Sequence, residues 1–517
     1  MRIDAARLAT ALTELWPDVA APSDKPVSPE RLAAWLPAAA EVTLTQDSRQ
    51  VEQGDLFLAV PGVSVDGREF ISRALDAGAV GVLCEAEGLA EDWTTDERVL
   101  ALPGLTSSLA ALGRRLFAVP ESLQLIGVTG TNGKSSVTYY IATLLEALGT
   151  SAAVIGTLGY GRPGDVRAAV QTTPGPLALQ QMLGELASGG VEIVAMEVSS
   201  HALAQERLSD TRVDAAVFTN LSRDHLDYHG SMAAYAAAKA RLFRRSSVRL
   251  AVVNGDDPLA RLMLAGLPDG TRVLATGGGE ATTLRVVDCE ALPNGLRAIV
   301  ATPENEGVLE LALMGRFNLD NALLAIATLH GLGYPLASLW QAASALQPVP
   351  GRMQRLPRDG AGKAPVVVVD YAHTPDALEN ALSALRDHLP GRQGSALWCV
   401  FGCGGDRDSG KRPLMAAIAE KLADRIVVTD DNPRSEDPQA IRDQIVAGLS
   451  PEAGVESWSV EGREAAIERV IAAAGDEDIV LIAGKGHEDY QEIAGIRQPF
   501  SDVEVASRYL RLRETSA

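Results

Sequence analysis

Four cysteines in 517 residues, at positions 84, 289, 399 and 403, are too few and too scattered for a disulfide framework. Cys399 and Cys403 lack a second pair at metal-ligand spacing, so they read as buried thiols rather than a zinc site. No apolar run approaches the roughly 18 residues that mark a membrane-spanning helix, so membrane insertion is not expected. The opening residues, Met1 to Leu8, lack the apolar core of a secretion signal, and the cytoplasm is the expected compartment. Positive charge is in deficit too: 46 basic against 67 acidic side chains leave −21. That excess argues against nucleic acid or an acidic membrane as partner. Lysine numbers only seven, yet Lys134, Lys239, Lys411 and Lys485 all fall inside the motifs below.

What is present is an ordinary globular composition, 46% hydrophobic and 22% charged, in a chain too long for one core. Apolar strand-like runs alternate with helical segments, which predicts an α/β fold with a parallel-rich sheet. Three domains are expected: residues 1–119, residues 120–350 around a phosphate loop, and a Rossmann-like unit over 351–517. The linker is Pro348-Val-Pro-Gly351. Residues 1 to about 40 show helical spacing broken by Pro17, Pro22 and Pro26, and carry no functional motif.

The most informative stretch is the apolar run Leu123–Val128 leading into Gly130-Thr131-Asn132-Gly133-Lys134-Ser135-Ser136 and then a helical segment. Glycines let backbone N–H groups approach phosphate oxygens, a helix N-terminus adds its dipole, and a lysine adds full charge. Ser135 is placed to meet the accompanying magnesium. Strict Gly-x4-Gly-Lys spacing would need glycine at 128, where Val128 stands, so the shorter core from Gly130 carries the signal. Glu197 ends the strand-like run from Ile193 and is a candidate magnesium ligand, with a capped or solvated strand end as the alternative. The loop after Ala215–Phe218 is dense in Asp and His, including His225 and His229, but lacks the Glu of a zinc-protease pattern. Lys239, taken alone on a helical stretch, reads as a surface lysine with a snorkelling stem.

Past the linker, four strand-like runs end in polar loops: Asp370 with His373, Gly402–Lys411, Asp430–Asp437 and Gly484–Glu488. Open α/β sheets bind ligands at such strand ends. The mixture of Arg407, Lys411, Arg434 and Lys485 with Asp431, Glu436 and Glu488 suits a zwitterion. Beside an ATP-type loop it points to joining an amine to an acid activated as its phosphate. A nucleotide switch would want an Asn-Lys-x-Asp base reader, and no lysine here follows an asparagine. An oxidoreductase would want a Gly-x-Gly-x-x-Gly turn after a strand, a spacing the 402–410 glycines do not match, and no acidic reader at the expected distance stands out.

With these residues assembled, the chain closely resembles the Mur ligases, the ATP-dependent amino-acid ligases of peptidoglycan synthesis. The matching motifs are Gly130–Ser135, Glu197-Val-Ser-Ser-His201, Thr219–Gly230, Gly351-Arg-Met353, Asp370–Pro375, Asp431-Asn432-Pro433-Arg434 and Gly484–Glu488. The resemblance implies ligation of meso-2,6-diaminopimelate to UDP-N-acetylmuramoyl-L-alanyl-D-glutamate, with ATP as co-substrate, magnesium as cofactor and an acyl phosphate between. It implies that Ser48, Val63, Ser64 and Val65 face the uridine end, and that Thr172, Thr173, Ser199, Gln205 and Arg207 hold the muramoyl dipeptide. Residues Gly130–Ser136 would hold the phosphates, Asn318, Arg352 and Asp370 the nucleotide. Ser135, Glu197, His225 and Lys239 would serve magnesium, with Lys239 carbamylated to reverse its charge. Arg407, Asp431, Asn432, Pro433, Arg434, Gly484 and Glu488 would receive diaminopimelate. A monomer is the expectation. An L-lysine ligase of the same family is the nearest alternative, folylpolyglutamate synthase a more distant one, and a nucleotide-binding regulator the non-enzyme reading.

Overall fold

The computed structural model describes residues 1–17, 41–62, 65–94, 96–358, 364–390, 394–450 and 456–516. The expectations for Val63 and Ser64, and most of the proline-broken stretch before residue 41, lie outside these. The described residues build three main sheets of five, eleven and six strands.

In the first sheet Arg2–Asp4 runs antiparallel to Glu41–Thr45, and Leu56–Ala59, Gly81–Glu85 and Val99–Leu102 continue in parallel. Asp4 accepts the Arg7 N–H at 2.7 Å and so starts the helix Ala5–Leu15, which shares a core with Leu105–Leu116.

The eleven-stranded sheet has a parallel centre, in which Gln124–Thr129 lies between Ile193–Glu197 and Ala215–Phe218. The outer strands Leu284–Leu292, Gly295–Ala301 and Glu306–Leu311 form an antiparallel meander at one side. Ile126 and Val128 pack with the helices Lys134–Ala147 and Arg316–Gly331, while Leu125 packs on the opposite face. With both faces covered, the centre reads as an unbroken apolar run rather than an alternating one. The third sheet sets Val366–Asp370, Ile479–Ala483, Leu397–Phe401, Arg425–Val428 and Glu456–Ser459 side by side in parallel.

Two polar pairs stitch this frame. His388 accepts the Gly315 N–H at 2.9 Å and lies 2.7 Å from the Leu292 carbonyl, joining the second sheet's helices to the third. Arg463 and Asp502, both fully buried, pair at 2.7 Å, and Arg463 also donates to the Ala483 carbonyl at 2.9 Å. Removing one partner strands a buried charge. Asp502→Ala should therefore lower unfolding free energy by about 3–5 kcal/mol in a denaturant titration, whereas Glu14→Ala, breaking the exposed Arg115 pair, should change it by less than about 1 kcal/mol.

Candidate active site

Parallel pairing of the three central strands brings their carboxyl ends together, so Gly130–Gly133, Glu197 and the Thr219 loop meet at one edge. A Cβ at Gly130 would stand 1.8 Å from the Thr219 hydroxyl oxygen, which itself donates to the Asn132 carbonyl at 2.6 Å. Gly133 has φ +83°, and a Cβ there would meet Asn321 Oδ1 at 2.4 Å. The Asn132 N–H donates to Asn220 Oδ1 at 3.0 Å. Both glycines are thus required by close approach, and the loop is braced from two sides at the N-terminus of Lys134–Ala147.

Two lysines converge here. Lys134 Nζ donates to the Gly130 and Thr131 carbonyls at 3.0 and 2.7 Å. Burial lowers its pKa, with Glu197 opposing. Lys239 is 1% exposed, donates to the Gly130 carbonyl at 2.7 Å and stands 4.5 Å above the Tyr235 ring. Burial first, then repulsion from Lys134, presses its pKa well below the usual lysine value. The surface-lysine reading of Lys239 is therefore corrected: the small residues of Met232–Ala240 let that helix lie close against the loop and bury the stem.

Glu197 is 2% exposed. Its Oε1 accepts from the Ser135 hydroxyl at 2.8 Å and from the Thr157 N–H at 2.9 Å, and its Oε2 from the Thr157 hydroxyl at 3.2 Å. Among the described residues no three His, Cys, Asp or Glu side chains gather as a self-contained metal cage. One carboxylate and one hydroxyl beside a phosphate loop suit magnesium, which keeps waters and takes substrate phosphates as further ligands.

The Glu197 backbone continues the network outward. Its carbonyl accepts from the Thr173 hydroxyl at 2.9 Å, and Thr173 Oγ1 accepts the Ser199 N–H at 3.0 Å. Ser199 caps the short helix Ser200–Ala204. Arg207 donates to the Thr173 carbonyl at 2.8 Å and to Gln205 Oε1 at 2.9 and 2.6 Å. Thr172 lies 3.1 Å from the Thr157 hydroxyl. One continuous, largely buried hydrogen-bond network therefore runs from the phosphate loop to Arg207.

Across the linker, Arg352 lies over the Tyr371 ring at 4.4 Å, and Asp370 accepts the Met353 and Ala372 N–H groups at 2.6 and 2.8 Å. Burial raises the Asp370 pKa, and Arg352 opposes that. In the third sheet's loops, a Cβ at Gly404 would meet Arg434 Nη1 at 2.8 Å and Arg407 Cγ at 3.9 Å, so a bare glycine lets both arginines gather. Arg434 itself takes φ +55° and donates to the Gly405 carbonyl at 2.7 Å. Glu488 Oε2 accepts from Lys485 at 2.9 Å and from Asn432 at 2.8 Å. Gly484, φ +119°, would set a Cβ 2.5 Å from Asp431 Oδ2.

This arrangement has close counterparts. Residues 43–112 match the model of the Mur ligase family, catalytic domain; 128–329 match the Mur ligase middle domain; and 351–486 match the Mur ligase, glutamate ligase domain. A UDP-N-acetylmuramoyl-L-alanyl-D-glutamate–2,6-diaminopimelate ligase of Pseudomonas aeruginosa is 50% identical over 468 residues, 90% of this chain and 94% of its own. The chain belongs to the Mur ligase family. A ligase of the same name from Xanthomonas campestris pv. campestris is 45% identical to this Mur ligase, with 97% of each chain covered. A solved structure of a protein so named superposes with TM-score 0.66 at 36% identity, covering 92% of this chain and 94% of that one. The MurF ligase from Thermotoga maritima, solved in complex with ADP, shares the fold: TM-score 0.61 at 18% identity, over 92% of this chain and 99% of that one.

The Mur ligase's expected residues fall into two linked groups, the phosphate-loop network out to Arg207 and the arginine-rich loops of the third sheet. Ser48 sits in a turn beyond Glu41–Thr45, and Val65 is 54% exposed. Asn318 is 2% exposed, with Nδ2 donating to the Met314 carbonyl at 2.8 Å and Oδ1 accepting from Tyr140 at 3.2 Å. His225, φ +52°, stands 4.8 Å from the His201 ring. Asn220, Asn321 and Tyr235 were missed as loop braces; Asn220, two residues past a predicted strand, was the available signal. Gly130→Ala should abolish measurable ATP binding in calorimetry, and adding Thr219→Ala should recover part of it by removing the colliding hydroxyl.

Proposed function

We propose that this Mur ligase joins meso-2,6-diaminopimelate to UDP-N-acetylmuramoyl-L-alanyl-D-glutamate at the expense of ATP, acting as a monomer in cytoplasmic peptidoglycan precursor synthesis. The observation that carries the reading is the hydrogen-bonded run from Ser135 through Glu197 to Thr157, Thr172, Thr173 and Arg207. It joins a phosphate loop to a polar surface able to hold the acid that becomes phosphorylated. The names and coverage of the relatives support the same substrates.

In this reading residues 1–119 hold the UDP end through Ser48 and residues 63–65, residues 120–350 hold ATP, and residues 351–517 bring the amine. A carboxylate oxygen of the glycopeptide attacks the γ-phosphorus, and ADP leaves with the bonding electrons. The amine nitrogen then attacks the acyl carbon, phosphate departs, and the amine proton is lost. Lys134 and the N-terminus of its helix stabilise the transferring phosphoryl group. Arg352 and Asp370 meet the nucleotide from across the linker, with Asn318 supporting that wall. Ser135, Glu197 and His225, with carbamylated Lys239, would hold magnesium, which spreads the charge on the phosphates when bound.

The buried state of Lys239 favours that modification. Burial and the nearby Lys134 press its pKa down, which favours the free amine over the ammonium. Its nitrogen adds to carbon dioxide, forms an N–C bond and releases one proton, leaving an anion where a cation would repel the metal. Carbon-dioxide-depleted buffer should therefore lower kcat, and bicarbonate should restore it; a rate indifferent to both would refute the carbamate.

Arg407 and Arg434 would clamp a carboxylate of diaminopimelate, while Asp431, Asn432, Pro433, Gly484 and Glu488 shape the rest of its site. Gly484 and Glu488 would receive the distal zwitterionic end; L-lysine lacks that distal carboxylate, and a site built to pair it rejects lysine strongly. Phosphate release with the glycopeptide and ATP should follow diaminopimelate and not L-lysine; no turnover with either would overturn the reading. Arg434→Ala should raise the KM for diaminopimelate at least about tenfold with little change in that for ATP.

A further inference from the structure

Between the phosphate loop and Arg207 lies a stack of rings to which the reading above assigns nothing. Tyr228 is 40% exposed, yet its ring is held 4.2 Å from His201 and 4.9 Å from His229. His229 Nε2 lies 2.9 Å from the Ser200 hydroxyl, and its ring is 5.1 Å from Tyr235. Tyr235 in turn reaches the Thr131 hydroxyl at 3.2 Å. The stack is therefore anchored to the phosphate loop at its base and presents Tyr228 at its top.

The hydroxyl of Tyr228 is also oriented. Gln205 Oε1 takes both the Nε and Nη2 protons of Arg207, so the amide must turn its NH2 outward, and Nε2 donates to Tyr228 Oη at 3.1 Å. Tyr228 is the acceptor in that bond. Its own phenolic proton is given to no protein atom in the hydrogen bonds of the described residues, which leaves the hydroxyl able to donate from beside the Gln205–Arg207 pair. The turn that presents it is built at a conformational cost: His225 takes φ +52° at its start, and Gly230 φ +73° closes it. A solvated surface tyrosine would need neither the anchored rings nor the oriented hydroxyl.

We propose that Tyr228 is a further residue of the glycopeptide site, donating its phenolic hydrogen to the carboxylate that becomes phosphorylated while its ring screens the acyl phosphate from water. This rests on the substrate reading above. It divides the work of one side chain into two separable parts. The hydroxyl governs how the acid is held, and the ring governs whether the activated acid waits for the amine or is hydrolysed.

The test compares Tyr228→Phe and Tyr228→Ala with wild type, measuring KM for glycopeptide and ATP, and phosphate released per amide formed. Tyr228→Phe should raise the glycopeptide KM about three- to tenfold, leave the ATP KM unchanged and keep one phosphate per amide. Tyr228→Ala should add excess phosphate release over product. A wild type inactive on the glycopeptide overturns the substrate reading and this assignment with it. An active wild type matched by both variants overturns the Tyr228 assignment alone, as does an equal rise in both KM values for Tyr228→Phe. Should Tyr228→Ala fail to fold, Tyr228→Phe, which keeps the ring, decides.

Discussion

One carbonyl oxygen, that of Gly130, accepts from both Lys134 and Lys239, at 3.0 and 2.7 Å. Two ammonium groups converging on one backbone oxygen repel each other, and burial deepens the conflict. The rest of the centre can be understood as its management. Glu197 lies close enough to favour the charged form of Lys134, while Lys239 is driven toward neutrality. The glycine that supplies the carbonyl cannot be replaced without striking Thr219. The carbamate proposed at Lys239 would relieve that conflict by reversing the charge of the second lysine.

Much of this was legible in the chain. The alternation of apolar runs with helical segments announced an α/β protein, and the glycine-lysine-serine turn announced its phosphate site, because both follow from local chemistry. The carboxyl-end loops of the third sheet were also readable, since each follows a run too apolar to be anything but buried. Lys239 was not readable from its own surroundings: MAAYAAAKA is as good a surface helix as a buried one. Only the packing of that helix against the loop makes the difference, and packing is a tertiary fact. The same holds for Asn220 and Asn321, whose side chains brace residues distant in sequence.

The third sheet solves a different problem with similar means. Its loops and the helices that follow them carry many charges, and three buried cations there are matched: Arg412 with Glu436, Arg442 with Asp430, Lys485 with Glu488. Such pairs give little net stability, but breaking one is expensive, so they hold the loops in a single arrangement. Arg407, exposed, and Arg434, half-buried, both approach Gly404 on that scaffold, Arg434 with its guanidinium and Arg407 with its stem.

The Arg463–Asp502 pair carries a consequence for how the chain can be cut. Asp502 begins the last helix, Asp502–Ser516, and Arg463 reaches from it to the carbonyl of Ala483, the residue immediately before Gly484 and Lys485. The final fifteen-residue helix is thus mechanically in series with the loop that begins at Gly484. Trimming the carboxyl terminus back to residue 501 shortens no motif, yet it withdraws the prop beneath one. A tag can follow the last helix; a truncation cannot precede it.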